Sequence, residues 1–472
     1  MELRRYQKDI LNKLYLSLQK NKKVLLSLPT GAGKTIMMYH WAKTMADRGL
    51  KTMFIVDREE LVDQVLSLDS TINVIKAGYK EKNPESLLQV VMLQTGYRRE
   101  EQVLDIKPDF IFFDEIHNYI NGRMFQTICD FCKNAKLIGV TATPIDPKGY
   151  LLEGFDDFIC DLQTKDLIDM GYLVGPVYYT PSDYNLDLGM IRISNGDYNI
   201  NDLDNVMINQ NCADKIVDNY LKFAKGRQTI AFCSSIRQAL YLSGYFKSKG
   251  INSMAVHSQS EHRTEIIKSF RDKKFDVLFN VGIAINGFDV PSVSCVIFAN
   301  PTRILRRYLQ QAGRGLRIAP GKEDCIMLDF ADVVRQHGFC DDLRFYKKQP
   351  EQKDECTIKE CPECGAIVNK TAQKCPYCNY EFTVQVEVGG GMRKKYLERL
   401  TRAWSMQEEL KKKISELVDI KGYKTGYKWF LFLHCLENKK PTESSIQFFK
   451  RKINKINKIE KRGWKLAALA YD

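Results

Sequence analysis

Long apolar runs are missing from this 472-residue chain. The most hydrophobic stretches, such as WFLFLHCL at 429–436, fall well short of the ~20 residues a membrane-spanning helix requires, so no transmembrane segment is expected. The opening MELRRYQKDILNKLYLSL lacks the continuous apolar core of an export signal, and the expected location is cytoplasmic. A short-period repeat is absent too, which excludes a solenoid. Nor is there a carboxylate constellation of the kind a metal-dependent nuclease needs. What remains is an ordinary globular composition, 44% hydrophobic, enough to fill the cores of several domains.

Acidic residues run short at one end only. The net charge is +13, and residues 386–472 hold 21 Lys and Arg against 10 Asp and Glu, whereas the preceding 385 residues hold 50 against 48. A basic excess gathered in one segment fits a polyanionic partner, because phosphate contacts supply sequence-independent affinity through counterion release. A solvated, lysine-rich helical surface would carry the same excess. Of the 14 cysteines, ten are scattered, the pattern of free thiols in a reducing compartment.

Between 24 and 143 the runs VLLSLP, TMFIV, LQVVML, FIFF and KLIGVTAT read as strands separated by amphipathic helices, the rhythm of a parallel α/β sheet. The alternation lapses through TPIDPKGYLLEGFDDF and an irregular region around YNLDLGMIRISNGDYNIND. It restarts with QTIAFC, NSMAVH, DVLFN, SCVIFA and CIMLDF. Two α/β lobes imply a cleft between them, with binding sites at the carboxyl ends of the strands. The expected division is a first lobe over 1–150, a connector and irregular insertion over 151–205, a second lobe over 206–345, a cysteine-rich module over 356–385 and a basic helical domain over 391–472.

LPTGAGKT at 28–35 follows a strand and precedes a helix. The backbone amides of Thr30, Gly31, Ala32, Gly33 and Lys34 would wrap nucleotide phosphates, Lys34 would neutralise the β and γ groups, and Thr35 would place its hydroxyl on magnesium. Leu28 stands where the strict pattern has glycine. DFIFFDEIHNY at 109–119 then drives an apolar strand into Asp114, assigned to magnesium, and Glu115, assigned to a water in line with the γ-phosphate. In YLQQAGRGLRIAP at 308–320, Arg314 and Arg317 stand three apart, close enough on a helix to aim both guanidiniums at one point across the cleft. ATP and Mg2+ are the expected cofactors, and catalysis would rest on positioning and charge compensation.

In this order the motifs resemble those of the superfamily 2 helicases and translocases, DEAD/DEAH-like, over roughly residues 1–345. The resemblance implies two tandem RecA-like lobes with parallel sheets, ATP at their interface and a nucleic-acid strand running across both. LRRYQ at 3–7 resembles the adenine-reading motif, implying Arg4 and Gln7 as base contacts. TAT at 141–143 resembles the motif that couples hydrolysis to lobe movement, through Thr141 and Thr143. NGFDVPSV at 286–293 and QQAGRGLR at 310–317 resemble the second-lobe motifs, implying Gly287 and Asp289 at the nucleotide with Gln310, Arg314 and Arg317 closing on it. VDREELVDQ and LQTG imply Arg58, Gln94 and Thr95 on the nucleic-acid backbone. DEIH differs from the DECH or DEAH of many relatives at Ile116, and His117 becomes the expected relay from Glu115 toward Gln310 and the second lobe. GYLVGP and APGKEDCIMLDFAD are most similar to RadD-like and phage branch-migration helicases, and type I restriction motor subunits share part of the pattern.

CPECGAIVNKTAQKCPYCNYEF at 361–382 pairs two CxxC knuckles. Cys361, Cys364, Cys375 and Cys378 would surround a structural Zn2+ tetrahedrally, making a small zinc ribbon. Cys129 and Cys132 have no second pair and read as a helix face, and Cys356 as a spare. KGYKTGYKWF at 421–430 interleaves cations with aromatics, which would let Lys424 hold a phosphate and Tyr427 stack on a base; the same aromatics could instead form the core of a helical domain. The expected function is an ATP-dependent DNA helicase or translocase that unwinds or branch-migrates single-stranded and branched DNA in replication, recombination or repair. The alternatives are an RNA helicase, an ATP-switched nucleic-acid-binding module that displaces no strand, and the motor subunit of a restriction-type complex.

Overall fold

The computed structural model describes residues 2–57, 59–79, 81, 83–146, 150–180, 186, 188–282, 290–343 and 358–382. Arg58, Gly287, Asp289, Lys424 and Tyr427, with the domain expected at 391–472, lie outside the described residues. No helix among the described residues is long and apolar enough to cross a membrane.

The first lobe runs α1 (Arg5–Lys20), β1 (Lys23–Ser27), α2 (Lys34–Ala46), β2 (Thr52–Val56), α3 (Glu59–Leu68), β3 (Asn73–Ile75), β4 (Leu88–Met92), α4 (Leu93–Gly96), α5 (Glu100–Asp105), β5 (Phe110–Asp114), α6 (Arg123–Phe131), β6 (Lys136–Thr141) and β7 (Asp157–Ile159). Its strands form one parallel sheet in the order β3-β4-β2-β5-β6-β1-β7. Successive side chains of a strand face opposite ways. Along β1, Val24 and Leu26 therefore join one core and Leu25 another; along β5, Phe112 joins the first core while Ile111 and Phe113 join the second. Strands apolar on both faces need helices on both faces, which is why these runs read as continuous hydrophobic segments.

The second lobe comprises α7 (Thr164–Asp169), β8 (Gly175–Tyr179), β9 (Ile193–Ser194), β10 (Asp197–Tyr198), α8 (Ile200–Met207), α9 (Gln210–Asn219), β11 (Thr229–Cys233), α10 (Ile236–Ser248), β12 (Ser253–Val256), α11 (Arg263–Arg271), β13 (Val277–Asn280), β14 (Cys295–Ala299), α12 (Leu305–Gly315), β15 (Asp324–Asp329) and α13 (Val333–His337). Its parallel sheet has the order β12-β13-β11-β14-β15-β8. Both architectures match the expected pair of RecA-like lobes. The stretch read as a connector supplies two edge strands, β7 to the first sheet and β8 to the second. Pro176 inside β8 is tolerated because an edge strand has one side that need not donate to a ladder.

The irregular region holds the β9–β10 hairpin, turned by Asn195 and Gly196 at φ 51° and 79°. Asp197 ties it to the start of α12 by accepting from Thr302 Oγ1 at 2.8 Å, the Arg303 amide at 2.8 Å and Arg307 Nη1 at 2.6 Å. Beyond the second lobe, β16 (Ile358–Glu360) pairs antiparallel with β17 (Ile367–Asn369) in the cysteine module. A Cβ on Gly365 would lie 3.6 Å from Phe223, so the module abuts the second lobe.

Candidate nucleotide cleft and cysteine centre

The phosphate loop leaves β1 and enters α2 through Gly33, which has φ 78°. A Cβ there would lie 2.6 Å from Gln7 Nε2, so both the backbone conformation and the space demand glycine. Tyr6 Oη and Gln7 Nε2 each donate to the Ala32 carbonyl at 3.0 Å, which fixes the loop from beneath. Gln7 Oε1 accepts the Arg4 amide at 2.9 Å. Gln7 is thus buried with both side-chain polar atoms engaged by protein. Arg4 lies with its guanidinium 4.2 Å over the Tyr172 ring, and these two line the cleft wall instead. The expected Arg4–Gln7 pair therefore divides: Gln7 braces the loop, and Arg4 with Tyr172 forms a flat layer on the cleft wall.

Asp114 and Glu115 are adjacent, and in a regular strand adjacent side chains diverge. The strand ends at Asp114, and Glu115 takes φ 48°, a left-handed conformation that costs a non-glycine residue of order 1–3 kcal/mol. That reversal brings both carboxylates to one cleft. Lys34 Nζ stands 3.3 Å from Glu115 Oε1, with both side chains largely buried. His117, in the helical turn Ile116–Asn118, has Nδ1 2.7 Å from Thr141 Oγ1 and 3.5 Å from Glu115 Oε2. Thr141 Oγ1 donates to the Thr143 carbonyl at 3.1 Å, which assigns the intervening proton to His117 Nδ1. His117 therefore lies between Glu115 and Thr141, and these contacts stay within the first lobe.

Across the cleft, Gln310, Arg314 and Arg317 face Thr30, Gly31, Lys34, Thr35, Asp114 and Glu115 around a volume of about 510 Å³. Ala32 is fully buried behind the loop. Helical spacing alone does not place Arg317, because α12 ends at Gly315. Its position comes from a bridge to Leu173, continued by the Val174 amide donating to the Leu316 carbonyl at 2.8 Å. Gly313 meets the phosphate loop directly, and a Cβ on it would lie 2.6 Å from Thr30 Cγ2. Thr35 Oγ1 is 3.4 Å from Gln64 Oε1. Sequence reasoning missed Gln64 and Tyr172 as lining residues, although both lie inside quoted motifs. Elsewhere on the first lobe, Gln94 is exposed, whereas Thr95 is buried and its hydroxyl accepts the Ala77 amide at 3.0 Å. Thr95 thus holds a loop in place and presents little surface.

The four cysteine sulfurs of the module lie within 4.8 Å of one another. Cys361 and Cys378 sulfurs are 3.6 Å apart and those of Cys364 and Cys375 3.8 Å, too far for a disulfide. A tetrahedron with ~2.3 Å zinc–sulfur bonds has sulfur–sulfur edges of about 3.8 Å, so the cluster fits zinc. Against the penalty of burial, the backbone amides of Cys364 and Glu363 lower the pKa of the Cys361 thiol, whereas burial and the neighbouring sulfurs raise that of Cys364. Cys129 lies in the last turn of α6 and Cys132 caps it, and both are half-buried.

Residues 1–146 match the family described as "Type III restriction enzyme, res subunit", and residues 212–319 match "Helicase conserved C-terminal domain". These are the two halves that form the cleft. The chain belongs to the superfamily 2 helicases. As a superfamily 2 helicase it is an ATP-dependent nucleic-acid motor, and the family implies ATP and magnesium. It is 27% identical over 372 residues to the 51.5 kDa protein of a Lactococcus phage (isolate 7-9), covering 76% of this chain and 78% of that one. With the protein of Schizosaccharomyces pombe named as mitochondrial ATP-dependent helicase irc3, identity is 28% over 358 residues, covering 71% of this chain and 58% of the relative. The fragment structure of an HsdR subunit of a type I restriction enzyme from Vibrio vulnificus YJ016 shares the fold, with a TM-score of 0.56 at 18% identity over 72% of this chain and 67% of that one.

Proposed function

We propose that this helicase hydrolyses ATP to unwind or branch-migrate DNA, acting on single-stranded and branched substrates in replication, recombination or repair. The observation that carries the reading is the opposition of Lys34, Asp114 and Glu115 on one lobe to Gln310, Arg314 and Arg317 on the other. Thr35 and Asp114 would hold magnesium, which when bound screens charge between the phosphate oxygens. Lys34 would leave Glu115 for the β and γ phosphates, and Glu115 would then be released to orient the attacking water and take its proton. Arg314 and Arg317 would offset the charge that develops on the transferred group. His117 would report the state of Glu115 to Thr141 and Thr143.

Cys361, Cys364, Cys375 and Cys378 would hold a structural zinc, since all four positions are protein ligands and none is left for substrate. The resemblance of GYLVGP and APGKEDCIMLDFAD to RadD-like and phage branch-migration enzymes supports branched DNA, and the basic excess over 386–472 supports a phosphate-rich partner. Gly287 and Asp289 would face the nucleotide, and Arg58, Gln94, Lys424 and Tyr427 the nucleic acid. The test is ATP-driven strand displacement on forks, Holliday junctions, R-loops, tailed duplexes of both polarities and matched RNA duplexes. Preference for forks and junctions is expected. Displacement of RNA duplexes in preference to DNA would replace DNA as the substrate, and hydrolysis without displacement would leave an ATP-switched binding module.

A further inference from the structure

Lys322 lies in the turn between α12 and β15 and has no place in the chemistry above. Its ammonium lies within hydrogen-bond reach of four backbone carbonyls, which share its three N–H groups: Gly315 at 2.6 Å, Arg317 at 2.7 Å, Pro291 at 3.1 Å and Val293. The first acceptor is the last residue of α12, and Arg317 lies two residues beyond the helix end. Carbonyls at a helix C-terminus lack an intrahelical donor and carry the negative end of the helix dipole, so a cation suits them. The other two belong to the segment Val290–Val293, which reaches the cleft through Pro291. One cation therefore joins two stretches of backbone that line the second-lobe wall. A solvated lysine keeps its head group in water. This one is half-buried and directs its head group into protein backbone.

We propose that Lys322 is a positioning residue for hydrolysis, which holds Arg314 and Arg317 at the cleft by binding the carbonyls on which their segment ends. The inference rests on the reading of those arginines as charge-compensating groups. Lys322 lines a cavity of about 370 Å³ whose other lining residues include Arg227, Lys273 and Asp324, none of which lines the nucleotide cleft. It therefore acts only through backbone. Misplacement of a guanidinium by about an ångström is enough to lose much of its effect on a transition state. Nucleotide binding, carried by the phosphate loop of the other lobe, would be spared.

The surroundings of Lys322 add a pH signature. Burial, the largest influence, draws its pKa from 10.5 down to about 8; Cys325 and Asp324 on β15 oppose this, and Arg317 and Arg227 add to it. Val290–Val293 brings carbonyls and no titratable side chain. Below about 8 the charged amine has three donors for its carbonyls; above it, one donor and the charge are lost. Turnover should therefore fall as pH rises through about 8.

The experiment compares full-length wild type, Lys322→Met and Arg314→Ala by steady-state ATPase activity with single-stranded DNA, fluorescent-ADP titration and thermal melting. For Lys322→Met, kcat should fall by about tenfold or more, with the ADP affinity and the KM for ATP within about twofold of wild type. The alkaline limb of wild type should be missing from that variant. Normal kcat in Lys322→Met beside an inactive Arg314→Ala overturns the inference and leaves the reading of the arginines intact. Normal turnover in Arg314→Ala overturns both. If Lys322→Met does not fold, Lys322→Gln takes its place in the same assays, and a normal kcat there overturns the inference.

Discussion

Glu115 shows how much a single backbone angle can decide. Its left-handed φ of 48° turns the alternation of a strand into a pair of carboxylates on one side. Because Glu115 also pairs with Lys34 at 3.3 Å, Glu115→Gln should lower kcat by roughly 10²- to 10⁴-fold while nucleotide affinity holds or rises, the lysine being released to the phosphates. Steady-state ATPase activity and a nucleotide titration check both halves; weaker nucleotide binding would contradict the role given to Lys34. His117→Ala removes the 2.7 Å link to Thr141. ATP binding should persist while more ATP is consumed per base pair displaced, a ratio measured by running the ATPase and strand-displacement assays together.

Among elements, the interior strands and the edge strand β12 were legible, and the other sheet edges were not. β1, β2, β4, β5 and β6, with β11, β13, β14 and β15, are apolar on both faces and announce themselves as unbroken hydrophobic runs. The unforeseen strands β3, β7 and β8 all sit at sheet edges, are short or carry proline, and owe their state to a neighbouring strand. The site divides in the same way. Lys34, Asp114, Glu115 and Arg314 were readable because local motifs place them. Tyr172 is at the wall because Arg4 stacks on it, and Arg317 because Leu173 bridges to it, and such pairings across more than a hundred residues leave no local trace. In the cysteine module, spacing alone carried the signal. One zinc per chain is expected by atomic absorption and none in Cys361→Ser, whose β16–β17 amides should lose protection from hydrogen exchange.

At the scale of the whole molecule the charge is lopsided, with the basic excess held beyond residue 386. Replacing Lys450, Lys452 and Lys455 by Gln should weaken DNA binding and flatten the slope of log affinity against log salt by roughly 2 to 3, if all three contact phosphates. A salt titration of fork-DNA binding measures this, and an unchanged slope would return those lysines to the role of solvated surface. The two lobes themselves meet where Gly313 faces Thr30. Gly313→Ala should slow turnover by about tenfold while sparing ADP binding, because its methyl group would stand 2.6 Å from Thr30 Cγ2 in the arrangement seen here. If the lobes open and shut during each cycle, their travel has a mechanical stop. That stop is the hydrogen atom that glycine carries in place of a side chain.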